Sequence, residues 1–292
     1  MQPVDGTGTA SFGWRTTPAD MFGDEPVSRR VAPPHRIVLL LPTDAKRTRV
    51  NPARQLARVA AMGMALPAGL FDGPAQCRVA TPDGRAADSL LGGLKAAADS
   101  ESRSLIVYVT GNLALGGDQQ LYLVAPGLPL RLTHLLGVRW EWITHAIGRA
   151  VGPTRLLMVD LEAESTAWSL LTDSTPSGVD RLVADGTSLW GQVRPIGSGR
   201  RKRDESAARS WTESVAALLR DGLPGGPAVL TPEALHEYVP PGPRKDTLTL
   251  ARFTPSSGSV QLLNRAVGRG VLSMDALPGA LQDALRRQEG GR

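Results

Sequence analysis

Short unbroken apolar runs alternate along this chain with longer stretches whose apolar residues fall at helical spacing. Arg36–Leu41 (RIVLLL) is a continuous apolar run closed by Pro42, the pattern of a strand buried on both faces. Over Asn51–Leu66, residues Leu56, Val59, Met62 and Met64 lie near helical spacing. Arg78–Thr81 reads as a short strand leading into the turn Thr81-Pro82-Asp83-Gly84. A helix follows, with Leu90, Leu91, Leu94, Ala97 and Ala98 on one face. Ser104–Thr110 (SLIVYVT) is a second buried strand, ending at Gly111-Asn112, and Leu121–Ala125 (LYLVA) is a third. Trp140, Ile143, Ile147 and Val151 form a helical stripe. Arg155–Leu161 (RLLMVDL) is another central strand running into Glu162-Ala163-Glu164-Ser165, and Arg181–Ala184 is a further strand candidate.

Beyond this point the pattern loosens. Gly191–Arg209 reads as a polar, basic loop containing Gly199-Arg200-Arg201-Lys202-Arg203. Ser210–Arg220 predicts a helix with Trp211, Val215, Leu218 and Leu219 on one face, halted by Asp221-Gly222-Leu223-Pro224-Gly225-Gly226. Thr231 is a good N-cap, with Pro232 at the first helical position. Met274, Leu277, Leu281 and Leu285 read as an amphipathic helix, for core packing or for a partner. Residues 1–34 are rich in Gly, Thr, Pro and Arg without periodicity and read as a flexible arm. The expected organisation is therefore an arm over 1–34, one domain over 35–270, and a helix and tail over 271–292.

Strands alternating with helices imply an α/β fold with a mostly parallel sheet covered on both faces. Working sites in such sheets lie at the carboxyl ends of the strands. Two of those ends are Gly111-Asn112 and Asp160-Leu161-Glu162.

Composition narrows the functional classes. The 292 residues are 41% hydrophobic and 21% charged, ordinary values for a soluble globular protein. No apolar run approaches bilayer length, and the first thirty residues lack a signal-peptide core, so no membrane role is expected. The 33 Lys and Arg exceed the 28 Asp and Glu by a modest margin. With only three Tyr and four Phe, and no RNA or DNA motif, no nucleic-acid partner is expected. One cysteine, Cys77, excludes an internal disulfide and fits a reducing cytoplasm. His35, His134, His145 and His236 show no metal-type spacing, so neither a metal nor a cofactor is expected.

Several blocks, taken in order, resemble the bacterial caspase-like proteins, relatives of caspases and metacaspases. They are RIVLLLP with its following helix, SLIVYVTGN, LYLVAPG with GVRWEWI, and RLLMVDLEAES. Downstream, SWTESVAALLRDGLPGGPAVLTPEALHEYV resembles the helix–turn–helix of the family's small-subunit half. The resemblance spans about residues 35–265. It implies a three-layer sandwich around a roughly six-stranded, mostly parallel sheet. A large-subunit-like part would reach to about residue 190, and a small-subunit-like part would start near 205.

The same resemblance places the family's catalytic histidine at Asn112, the glycine after it at Leu113, and the nucleophilic cysteine at Glu162. Cysteine proteolysis needs a thiolate and an imidazole that protonates the leaving amine. An asparagine amide moves no proton at neutral pH. Losing either partner alone costs orders of magnitude in rate. Leu113 also puts in question the backbone geometry that glycine gives the oxyanion hole. Asp160 matches an acidic residue that helps form the basic-residue pocket of metacaspase-like members. With Glu162 and Glu164 it makes an acidic strand end suited to an Arg or Lys side chain. The loop Arg200–Arg203 could fill that pocket in cis; the plainer reading is a solvated loop.

These expectations describe a pseudoprotease that binds a protein or basic peptide and could pair with an active caspase-like protein. One alternative is a hydrolase using Glu162 as general base. Another is a structural unit forming a homodimer. Cys77 as a displaced nucleophile and His145 as a functional base are both weaker than their plain structural readings.

Overall fold

The computed structural model describes residues 33–41, 53–66, 70–80, 86–125, 129–173, 177–196, 210–239, 246–254 and 259–269. In chain order, β1 (His35–Leu40), α1 (Ala53–Ala65), β2 (Ala75–Ala80), α2 (Ala86–Ala98) and β3 (Ser104–Leu115) come first. They are followed by β4 (Leu121–Val124), α3 (Thr133–Leu136), β5 (Val138–Arg139), α4 (Trp140–Gly148), β6 (Thr154–Ala163), α5 (Ser165–Thr172) and α6 (Ser177–Asp180). The last elements are β7 (Ser188–Pro195), α7 (Trp211–Asp221), β8 (Val229–Leu230), α8 (Pro232–His236), β9 (Leu248–Arg252), β10 (Leu262–Leu263) and α9 (Arg265–Arg269).

The architecture is α/β with a mostly parallel mixed sheet. Strand order is β2-β1-β3-β6-β7-β9, parallel throughout except for β9, which runs antiparallel to β7. β4 pairs antiparallel with the far end of β3, and β5 pairs with β4, which brings the sheet to eight strands. The register of β3 on β6 runs from Ser104↔Thr154 to Leu113↔Ala163.

Side chains alternate between the two faces of a strand, so each face has its own core. On one face Val107, Val109, Leu157, Val159 and Leu161 pack with Leu90 and Leu94 of α2, Ile143 and Ile147 of α4 and Leu171 of α5. On the other, Ile106, Tyr108, Leu156, Met158 and Trp190 pack with Val59 and Met62 of α1 and Trp211, Val215 and Leu219 of α7. The Trp190 and Trp211 rings meet edge to face with centroids 5.2 Å apart. Ser210 caps α7 through a reciprocal box with Glu213, and Gly222 ends it with a positive φ of 77°.

Several expectations change. Leu121–Ala125 is not a central parallel strand but part of the hairpin that extends β3. Arg181–Ala184 is a turn, and the strand lies at Ser188–Pro195, partly inside the stretch that reads as a polar loop. Its polar residues face inward, which hides it from a hydrophobicity pattern. Helix α1 is rotated relative to its expected stripe: Val59 and Met62 are buried while Leu56 and Met64 are 47% and 72% exposed. Gln55 and Arg58 take the inner positions instead. Strand β9 and helix α5 carry no clear sequence signal. Residues 1–32 of the expected 1–34 arm, the loop Arg200–Arg203 and the segment Met274–Leu285 lie outside the described residues. Among the described residues no helix is long and apolar enough to cross a membrane.

Gly191 sets how closely β7 lies against β6. A Cβ there would fall on the Val159 carbonyl oxygen and 2.8 Å from Val159 Cγ2. Gly191→Ala is expected to destabilise the protein by about 1–3 kcal/mol, read as a lower midpoint in urea unfolding. An unchanged midpoint would mean that the close approach is not needed.

Candidate functional site

Near their carboxyl ends, β3, β6 and β7 change character on the face covered by α1 and α7. Tyr108, Met158 and Trp190 form the last apolar row, since Tyr108 pairs with Met158 and Met158 with Trp190 in register. The next row is Thr110, Asp160 and Gln192, and the one above it is Asn112, Glu162 and Arg194. Two polar rows thus cap the core, and α1 and α7 lower Gln55, Arg58 and Thr212 onto them.

Asp160 is fully buried. Its Oδ1 accepts from Gln192 Nε2 at 3.0 Å, and its Oδ2 accepts from Thr212 Oγ1 at 2.7 Å. Arg58 Nε lies 3.4 Å from the same Oδ2. Because the Thr212 proton goes to Asp160, the Tyr108 hydroxyl must donate to Thr212 Oγ1 at 2.7 Å. Burial, with the Asp160 charge adding to it, pushes the Tyr108 phenol far above its ordinary value, so that proton stays in place. Thr110 Oγ1 donates to the Asp160 carbonyl at 3.0 Å.

Glu162, one row higher, is partly exposed. Its Oε1 accepts from Arg194 Nη2 at 2.7 Å and from Nε at 3.3 Å, and Arg58 Nη2 stands 3.5 Å away. Arg194 Nη2 is also 4.0 Å from Asp160 Oδ1. Two carboxylates and two guanidinium groups therefore share one small volume and balance in charge. Arg58 is the least satisfied member: its side chain is 2% exposed, and none of its guanidinium nitrogens makes a hydrogen bond within the described structure. It is held by charge alone. Gln55 Nε2 donates to Asn112 Oδ1 at 3.4 Å.

The residues singled out from the sequence are brought together in part. Asn112 stands directly opposite Glu162 on neighbouring strands, yet its amide bonds to Gln55, and Glu162 bonds to Arg194. Leu113 points to the opposite face and is completely buried in that core. Glu164 is the N-cap residue of α5, where its side chain makes no capping bond, and burial raises its carboxyl above the usual range. The acidic strand end does not stand open for a ligand's Arg or Lys. Arg58 and Arg194 of the chain itself occupy the position that such a cation would take.

Arg58, Gln192, Arg194 and Thr212 escape sequence reasoning. A usable signal exists for two of them: Trp190, Gln192 and Arg194 fall at a strand period of two in the run WGQVRP. Cys77 is exposed on the edge strand β2, separated from β3 by β1, and burial of its thiol raises it above its ordinary value. His145 lies on α4, which packs on the opposite face. Among the described residues no group of His, Cys, Asp and Glu side chains is placed to hold a metal ion.

No protein-family model matches the chain, and no curated protein matches it.

Removing one member of the quartet leaves an opposite charge buried. Arg58→Met is expected to cost about 3–5 kcal/mol of stability. In an Asp160→Asn background the same change should cost markedly less, because the two groups act on each other. Denaturant titration of the two single variants and the double variant measures this. Strictly additive losses would show that Arg58 and Asp160 are independent.

Proposed function

We propose that the chain is a caspase-like pseudoprotease: catalytically inert, and working as a protein- or peptide-binding regulatory module. The observation that carries this reading is the placement of Asn112 beside Glu162 at the carboxyl ends of two adjacent parallel strands. These are the positions where the family resemblance puts the histidine and the cysteine. The strand order, with one antiparallel strand at the β9 edge, supports the same reading. Neither side chain can supply a thiolate or shuttle a proton as the cysteine mechanism requires. What fills the former centre is a charge-balanced structural cluster.

A hydrolase built on Glu162 has little support. The Oε1 atom that would take a proton already receives two hydrogen bonds from Arg194 and faces Arg58. A cytoplasmic setting agrees with the exposed, unpaired Cys77.

Incubation with a mixed peptide library rich in Arg, Lys and Asp, read by mass spectrometry, tests inertness. Neither the wild type nor Glu162→Ala should cut any peptide. Cleavage by the wild type that disappears in Glu162→Ala would replace the pseudoprotease with an enzyme.

A further inference from the structure

The sealed centre leaves open where a binding module would bind. On the opposite face of the sheet, α2 and α4 run side by side and leave a groove of about 440 Å³ between them. Asp88, Leu91 and Lys95 line it from α2; Trp142 and His145 line it from α4, with Arg149 at the carboxyl cap of that helix. The spacings i, i+3, i+7 on both helices make each set one continuous stripe. Leu91 and the neighbouring Ala146 form a buried apolar floor, while Trp142 is 47% exposed.

Two features set this groove apart from ordinary solvated surface. The charged side chains Asp88, Lys95, Asp99 and Arg149, and the His145 imidazole, have no hydrogen-bond or ion-pair partner among the described residues. The indole of Trp142 is already held: the Arg139 guanidinium lies 5.7 Å from its ring centroid, and Arg139 is fixed by Asp118 at 2.6 Å. An aromatic side chain fixed in advance loses little entropy when a partner covers it.

The order of charges along the groove identifies the occupant. The two helices have their carboxyl ends together, since the Val151 N–H donates to the Ala98 carbonyl at 3.1 Å. Arg149 and Asp99 therefore share the lowest level, Lys95 and His145 lie above them, Leu91 and Trp142 higher still, and Asp88 at the top. Lys95 and Arg149 outnumber Asp99 in the lower half of the groove, while Asp88 is the one charged lining residue at its top. From Lys95 to Leu91 is about 6 Å along the helix, and from Lys95 to Asp88 about 10 Å. A helical segment matches these levels with an acid at position i, a large apolar residue at i+4 and a base at i+7.

We propose that the α2–α4 groove docks an amphipathic peptide helix of that pattern, its acid on Lys95, its apolar residue against Trp142 and Leu91, and its base on Asp88. This deepens the binding-module reading and rests on it. Cleavage of a peptide library tests inertness alone and docking tests the groove alone, so either can fail without the other.

The probes are two end-blocked, fluorescein-labelled peptides of about 14 residues in an alanine-rich host, long enough to form a helix. One carries Glu, Leu and Arg at i, i+4 and i+7; the other carries the same order in the reverse chain direction. Fluorescence anisotropy against the full chain should show saturable binding of at least one of them. Trp142→Ala should weaken it about tenfold or more. Lys95→Glu should also weaken it, and should bind better than the wild type to the peptide whose Glu is replaced by Lys. Both substitutions are at exposed positions, so circular dichroism should show an unchanged fold. If neither peptide binds saturably, or if both variants bind as the wild type does, the groove is not the docking site.

Discussion

Asp160 sits in the middle of the sheet with no solvent contact, and a carboxylate left alone there would cost several kcal/mol. Each group that offsets this cost comes from a different part of the chain: Gln192 from β7, Thr212 from the first turn of α7, and Arg58 from α1. The constraint fixes more than one side chain. It sets the rotation of α1, which has to expose Leu56 and Met64 so that Gln55 and Arg58 can point inward. It sets the start of α7, whose capping box holds Thr212 over the carboxylate. It also depends on Gly191, which lets β7 come close enough to β6 for Gln192 to reach. Buried ionic clusters add little net stability compared with an apolar core, but they tolerate few alternative arrangements. Here the cluster selects one packing of two helices on three strands.

That arrangement bears directly on function. Carboxyl ends of parallel strands are where α/β sheets place ligands and catalytic groups, and on the proposed reading this chain has used the location for structure. The acidic residues are present, but their counter-ions are internal. A ligand's guanidinium would have to displace Arg194 from a 2.7 Å contact and compete with Arg58 beneath it. On that reading recognition falls to a surface whose charges are not already matched, as proposed for the α2–α4 groove. It lies on the other face of the sheet, so occupying it leaves the cluster undisturbed.

How legible this was in the sequence varied with the direction each side chain faces. Strands β1, β3 and β6 are buried on both faces and read plainly as the runs RIVLLL, SLIVYVT and RLLMVDL. Helix α2 was equally clear, from Leu90, Leu91 and Leu94. Strand β7 was not, because Gly191 interrupts its apolar run and the polar Gln192 and Arg194 point inward. Arg58 looks like any solvent-facing helix residue until the strand ends beneath α1 turn out to be polar. The pairing of Asn112 with Glu162 is what the family resemblance implies, and the register of β3 on β6 has the two residues opposite each other. The role of Asp160 was inverted: its charge suggested an invitation to a cation from outside, whereas two cations of the same chain were already there. Partner identity for a buried carboxylate is a long-range property, and no local pattern encodes it.

If Arg58 and Arg194 fill the acidic strand ends from within, titration calorimetry with agmatine, a small guanidinium compound, reads it out. The wild type should give no saturable heat, whereas Arg194→Ala, which frees Glu162 and opens a guanidinium-sized space, should bind. Saturable binding of agmatine to the wild type, unchanged in Arg194→Ala, would show instead that the strand ends present an open pocket for a basic side chain.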